Sequence, residues 1–138
     1  MNEGGTGANG PSPEIRFRID FSATCAIAPA KIDLLEAIRD SGSLSQGARH
    51  IGMSYRRARQ LLDSFKEAFR VPVTRAVRGG PGGGGVVLTP FGEALVESYR
   101  SLQAEIGNLA ARRLGAISAA VRHGTPRDAM QRVPAGKI

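Results

Sequence analysis

In Ile15-Arg16-Phe17-Arg18-Ile19-Asp20-Phe21 apolar and charged residues alternate strictly, which places Ile15, Phe17, Ile19 and Phe21 on one face of a half-buried strand. From Ser22 to Ala28 the pattern lapses, and a loop is expected. The period then changes to that of a helix. Pro29 suits a first helical turn, where its missing N–H leaves no bond unmade, and Ile32, Leu34, Leu35 and Ile38 form an apolar stripe as far as Ser41-Gly42. Gly42 can supply a left-handed cap. Ser43-Leu44-Ser45-Gln46 has capping-box spacing, with a hydroxyl at the cap and an amide three residues on, and predicts a second, short helix from Ser43 to about Ile51, ended by Gly52. Ser54 is the next N-cap. After it Ala58, Leu61, Leu62, Phe65, Ala68 and Phe69 keep helical spacing until the chain nears Pro72.

Two β-prone segments follow, Val71 to Val77 and Val86 to Leu88. Between them lies Arg78-Gly79-Gly80-Pro81-Gly82-Gly83-Gly84-Gly85, which predicts a hairpin with a long tip. Thr89-Pro90, a cap followed by an N1 proline, opens a long helix in which Leu95, Tyr99, Leu102, Ile106 and Leu109 alternate spacings of four and three. That seam suits a partner helix, and the five residues are the predicted dimer interface. At the ends periodicity disappears. The expected organisation is a disordered arm at 1–14, a folded domain at 15–117 and a basic disordered tail at 118–138.

Strand, helix, short helix, tight turn, amphipathic helix, Gly-tipped hairpin, long helix is the order of a winged helix-turn-helix. The expected fold is therefore mainly α with a small β-hairpin wing, and its long C-terminal helix serves dimerisation. In such a fold two helices cross closely, and Gly47 and Ala48 put small residues at the crossing. The length of 138 residues fits one domain, and 41% hydrophobic residues with 5% aromatics and no Trp give it an aliphatic core.

Charge adds a partner to this picture. Nineteen Lys and Arg against twelve Asp and Glu leave a net charge of +7, which favours a polyanion such as nucleic acid. From Ser54 to Arg70 five basic residues (Arg56, Arg57, Arg59, Lys66, Arg70) face two acidic ones (Asp63, Glu67), a net of +3. Three of the basic ones, Arg56, Arg57 and Arg59, crowd the start of the helix, beside Tyr55 and Gln60. Arginine can grip guanine N7 and O6 as a fork and glutamine can do the same to adenine, so this end has the chemistry to read base edges from a recognition helix at about 54–70. On the hairpin, Arg75 and Arg78 lie in a stretch with no acidic residue from Arg70 to Gly92, as a wing along phosphates requires. The candidate DNA-binding residues are Ser45, Gln46, Ser54, Tyr55, Arg56, Arg57, Arg59, Gln60, Arg75 and Arg78.

Other chemistries find little support. The Gly-rich run lacks the Lys-Ser/Thr pair and following helix of a nucleotide-binding loop. Cys25 is the one cysteine, so no disulfide framework exists, and it reads as a spectator or small core residue. His50 and His123 are the two histidines, and neither adjoins a metal constellation. No carboxylate pair, Cys/His pair or serine motif is placed for catalysis, so neither an enzyme nor a cofactor is expected. With no leader-like start and no run of eighteen apolar residues, the expected location is cytoplasmic and no membrane partner is expected.

Leu44-Ser45-Gln46-Gly47-Ala48, Gly52-Met53-Ser54-Tyr55 and the run from Gly79 through Val86-Val87-Leu88-Thr89 closely resemble the N-terminal DNA-binding domain of the molybdate-responsive ModE transcriptional regulators, and more distantly the LysR-type winged helix. The resemblance covers roughly Ile15 to Ile106. It implies a homodimer on double-stranded operator DNA. The separate oxyanion-binding domains of that family have no room in this chain, so the chain alone is expected to bind no molybdate. The expected function is a sequence-specific transcriptional regulator; the rival expectation is a winged-helix interaction module that pairs with a separate effector chain.

Overall fold

The computed structural model describes residues 13–78 and 85–122. The expected arm, apart from its last two residues, the glycine tip at 79–84 and the tail from 123 onward lie outside the described residues. The chain divides into two units, Arg16–Ser101 and a second made of the segments on either side of it. Its elements are β1 (Ile19–Ser22), β2 (Cys25–Ile27), α1 (Pro29–Ser41), α2 (Leu44–His50), α3 (Tyr55–Ala68), β3 (Thr74–Val77), β4 (Gly85–Leu88), α4 (Pro90–Arg113) and α5 (Gly115–Ala119). Helix dominates. The strands form two separate antiparallel hairpins, β1 with β2 and β3 with β4.

The first hairpin corrects the sequence reading twice. Ile15, Phe17 and Ile19 are half-buried and Arg16, Arg18 and Asp20 exposed, as alternation demands, but a register irregularity between Asp20 and Ser22 breaks the pairing, and Phe21 ends 61% exposed. A one-residue slip in a strand sends every later side chain to the other face. The expected loop at Ser22 to Ala28 contains strand β2, whose three residues are all buried. A strand covered on both faces shows no alternation to read.

The helices obey their caps. Gly42, at φ 75°, closes α1 by donating its N–H to the Ile38 carbonyl at 2.7 Å. Ser43 Oγ accepts from the Gln46 N–H at 3.2 Å, yet the reciprocal half of the capping box is supplied from the other side: the Ser43 N–H donates to Ser41 Oγ at 3.3 Å. Ser54 Oγ accepts from the Arg57 N–H at 3.1 Å and starts α3. At the α1–α2 crossing a Cβ on Gly47 would stand 3.1 Å from the Ala37 carbonyl carbon, so the small residue there is a packing requirement. Ala48 is 1% exposed beside it.

The core of the Arg16–Ser101 unit is built from Ile27, Ile32, Leu34, Leu35, Ile38, Leu44, Ala58, Leu62, Phe65, Val73, Leu88, Val96 and Tyr99. It is aliphatic with two aromatics, and no polar residue is buried among the described ones. Two backbone links and one side chain tie the second hairpin to this core. Val86 N–H donates to the Gly42 carbonyl at 3.0 Å, Thr89 N–H donates to the Val73 carbonyl at 3.0 Å, and Thr89 Oγ1 donates to the Pro72 carbonyl at 2.7 Å while accepting from the Gly92 N–H at 3.0 Å. Thr89 thus caps α4 and fastens the root of β3 with one side chain. Two glycines permit this closeness: a Cβ on Gly85 would stand 2.6 Å from the Gly42 carbonyl oxygen, and one on Gly92 stands still closer to the Val73 carbonyl oxygen, at 2.2 Å.

In the other unit Gln103 Nε2 donates to the Ile15 carbonyl at 2.7 Å. The long helix is interrupted: α4 ends at Arg113, α5 begins at Gly115, and helix runs to Ala119. Glycine is a poor helix interior residue, and the break falls beside one.

An ion cluster joins α1 to α4. Arg100 donates from Nε and Nη2 to the two Glu36 carboxylate oxygens at 2.8 and 2.7 Å, and from Nη2 to Asp33 at 2.8 Å. The hydrogen bonds from Arg100, helped by the charges of Arg100 and Arg39 and opposed by burial, hold the Glu36 carboxyl below its ordinary value of 4.5. A lowered folded pKa gives stability that is complete above the unfolded value and disappears as pH falls through the folded one. Glu36→Gln should therefore cost about 1–2 kcal/mol at neutral pH. Urea unfolding curves of the two proteins should converge as the pH falls below the ordinary carboxylate range and the Glu36 carboxyl takes up its proton; a gap that stays constant with pH would show that the ionised carboxylate contributes nothing.

Candidate nucleic-acid interface

At one hundred degrees per residue, the burial of Ala58, Leu62 and Phe65 fixes which side of α3 faces out. Arg56, Gln60, Asp63 and Glu67 lie opposite the core, with Arg59 beside them, and all five are exposed. Basic and amide groups occupy the first half of this face, carboxylates the second. Tyr55, at the first helical position, is 55% exposed, and Arg57 is exposed on the flank. Ser45 and Gln46 are exposed in the first turn of α2, which a tight turn through Gly52 and Met53 joins to α3.

The arginines differ in their partners. Arg59 Nε lies 3.5 Å from Asp63 Oδ1, both side chains half exposed. Arg56 and Arg57 have no carboxylate partner among the described residues, nor have Arg75 in β3 and Arg78 just past its end, and these four are exposed. No hydrogen bond or ion pair among the described residues links the hairpin arginines to α3. Ser54 Oγ is used in capping, and Ser45 Oγ lies 3.4 Å from Ser43 Oγ. A capped helix end bearing exposed, uncompensated cations next to a tyrosine and a glutamine has the donors to hold phosphates and to probe base edges.

The seam on α4 is divided. Tyr99 is 3% exposed; its ring stacks on Phe17 with centroids 4.5 Å apart, and its hydroxyl donates to the Phe17 carbonyl at 2.8 Å. Having no surface left to bury, it leaves the predicted dimer set. Leu95 is half-buried against the same core. Leu102 and Leu109 stay 39% and 42% exposed, with Ile106 half-buried. Sequence reasoning left out Leu114, Ile117 and Val121, which are 39%, 63% and 50% exposed at and beyond the α4–α5 break. Their spacing of three and four was the available signal, obscured by the phase slip between Leu109 and Leu114.

Cys25 is buried and unbridged. Among the described residues no group of three His, Cys, Asp or Glu side chains is placed to hold a metal, and no helix is long and apolar enough to cross a membrane.

No family model matches the chain. It is similar to the DNA-binding transcriptional dual regulator ModE of Escherichia coli K12, 39% identical over 86 residues, which are 62% of this chain and 33% of that protein. It is also similar to the molybdenum transport protein ModE of Azotobacter vinelandii, 34% identical over 90 residues, 65% of this chain and 33% of that one. The molybdenum-pterin-binding protein MopB of Rhodobacter capsulatus is 39% identical over 79 residues, 57% of this chain and 29% of its own length. The chain spans about a third of the length of these curated relatives. They are transcriptional regulators or molybdenum proteins by name, and that molybdenum association lends no support to the expectation that this chain binds no molybdate.

Proposed function

We propose that the chain is a sequence-specific DNA-binding module of a transcriptional regulator, a winged helix-turn-helix in which α3 enters the major groove and the β3–β4 wing lies along the backbone. One observation carries this reading: Tyr55, Arg56, Arg57, Arg59 and Gln60 are all exposed on the capped first half of α3 while the opposite face of the helix is buried in the core. A helix so held presents its side chains from a rigid base, as groove reading requires. The hydrogen bonds from Val86 to Gly42 and from Thr89 to Pro72 and Val73 give the wing a fixed root. Similarity to a relative named as a DNA-binding transcriptional regulator over 62% of the chain supports the same assignment. Leu102, Ile106 and Leu109, extended by Leu114 and Ile117, are the surface on which two copies pair, so that two recognition helices meet two half-sites. The chain acts in the cytoplasm, and its reaction is binding, not catalysis.

The test is selection from a duplex library with a randomised core, followed by gel retardation. Gln60→Ala should relax base preference at one fixed position by about 1–3 kcal/mol, whereas Arg78→Ala should weaken selected and scrambled duplexes equally. Equal losses on both duplexes for each variant would remove the claim of base reading.

A further inference from the structure

We propose that Asp63 is a positioning residue for base recognition, holding the guanidinium of Arg59 so that its terminal edge faces the DNA, and that it sets sequence discrimination at a cost in overall affinity. This rests on reading α3 as the groove helix. The pair is formed through Nε of Arg59 at 3.5 Å, one turn along the same exposed face. The nearest approach is at Nε, and the two Nη groups of Arg59 make no hydrogen bond among the described residues; these are the donors that can meet guanine O6 and N7 as a fork. Arg56 and Arg57, one turn nearer the start of the helix, have no carboxylate partner among the described residues. A free arginine can swing to whichever phosphate is nearest; a held one is restricted to fewer targets. On this proposal Arg56 and Arg57 contact phosphates and Arg59 contacts a base.

The position of Asp63 gives it a second effect. With Glu67 it occupies the outward centre of the second half of α3. Exposed i,i+4 pairs contribute only a few tenths of a kcal/mol to a helix, so folding gives little reason for an acidic group on a surface that meets a polyanion. Its negative charge repels phosphate whatever the sequence, while its hold on Arg59 acts only where the correct base lies within reach. A device with these two properties lowers affinity for wrong sites more than for right ones.

Asp63→Asn removes the charge and keeps the shape. Retardation would be measured on the selected duplex, on every single-base variant of it and on a scrambled duplex, for the wild type, Asp63→Asn, Arg59→Ala and the double variant. Asp63→Asn should bind the scrambled duplex about 2–3-fold more tightly. It should also lose about 2-fold in discrimination at one base pair. In the Arg59→Ala background the gain on scrambled DNA should remain and no further discrimination should be lost. Unchanged discrimination in Asp63→Asn, or a loss that persists without Arg59, would overturn the proposal. Failure of the wild-type chain to retard any duplex would overturn the parent reading as well, and would be evident before any variant is made.

Discussion

Raising the salt concentration from about 50 to 200 mM should weaken binding to the selected duplex about a thousandfold or more. Each released counterion contributes to the slope of log affinity against log salt, and the slope is about −0.9 per phosphate neutralised on duplex DNA. Arg56, Arg57, Arg75 and Arg78 carry charge that no carboxylate offsets among the described residues. Two copies that each use most of these would neutralise roughly 6–8 phosphates, giving a slope of about −5 to −7. Fluorescence anisotropy of a labelled duplex across a salt series reads the slope directly. A flat response would assign the exposed end of α3 to a protein partner instead, because a protein contact would release few condensed ions.

Replacing Gly92 by alanine should destabilise the fold by about 2–4 kcal/mol, the largest effect expected of adding one methyl group anywhere in the described chain. The new Cβ would stand 2.2 Å from the Val73 carbonyl oxygen, which already accepts from the Thr89 N–H at 3.0 Å and from Thr89 Oγ1 at 3.2 Å. To make room the start of α4 must move off the root of β3. Both Thr89 bonds then stretch together. Urea denaturation followed by circular dichroism measures the loss. Gly115→Ala is the matched control: nothing lies within 4 Å of the added Cβ, and the change should stay within about 1 kcal/mol. Equal stability of Gly92→Ala and wild type would mean that α4 does not pack on Val73.

The contrast between these glycines shows where the sequence can be read. Caps at Ser43, Ser54 and Thr89, the proline starts and the stripes of α1 and α3 are local signals, and each expected helix start is found in place. Strand β2 could not be found this way, since three buried residues carry no period. Nor could the fate of Phe21, because strict alternation gives no hint of a slip that pairing alone produces. Arg100 and Glu36 are 64 residues apart in the chain, and Tyr99 is 82 residues from the carbonyl it bonds, so their roles exist only after folding. The candidate interface was more legible than the core contacts around it. Three of its arginines, Arg56, Arg57 and Arg59, cluster within four positions, and such a cluster is visible in a string of letters; the ion pair that distinguishes Arg59 from its neighbours was visible as a spacing, its consequence only from which face is buried.

The last glycine of the hairpin sequence has a meaning for how such a chain tolerates changes in length. Four glycines stand in a row in the sequence from Gly82 to Gly85, and the final one lies against the Gly42 carbonyl, where no side chain fits. Because the residues are identical, the removal of one, two or even three still delivers a glycine to the place beside Val86 where the backbone closes on Gly42. Shortening the run of glycines therefore leaves the anchoring residue in place.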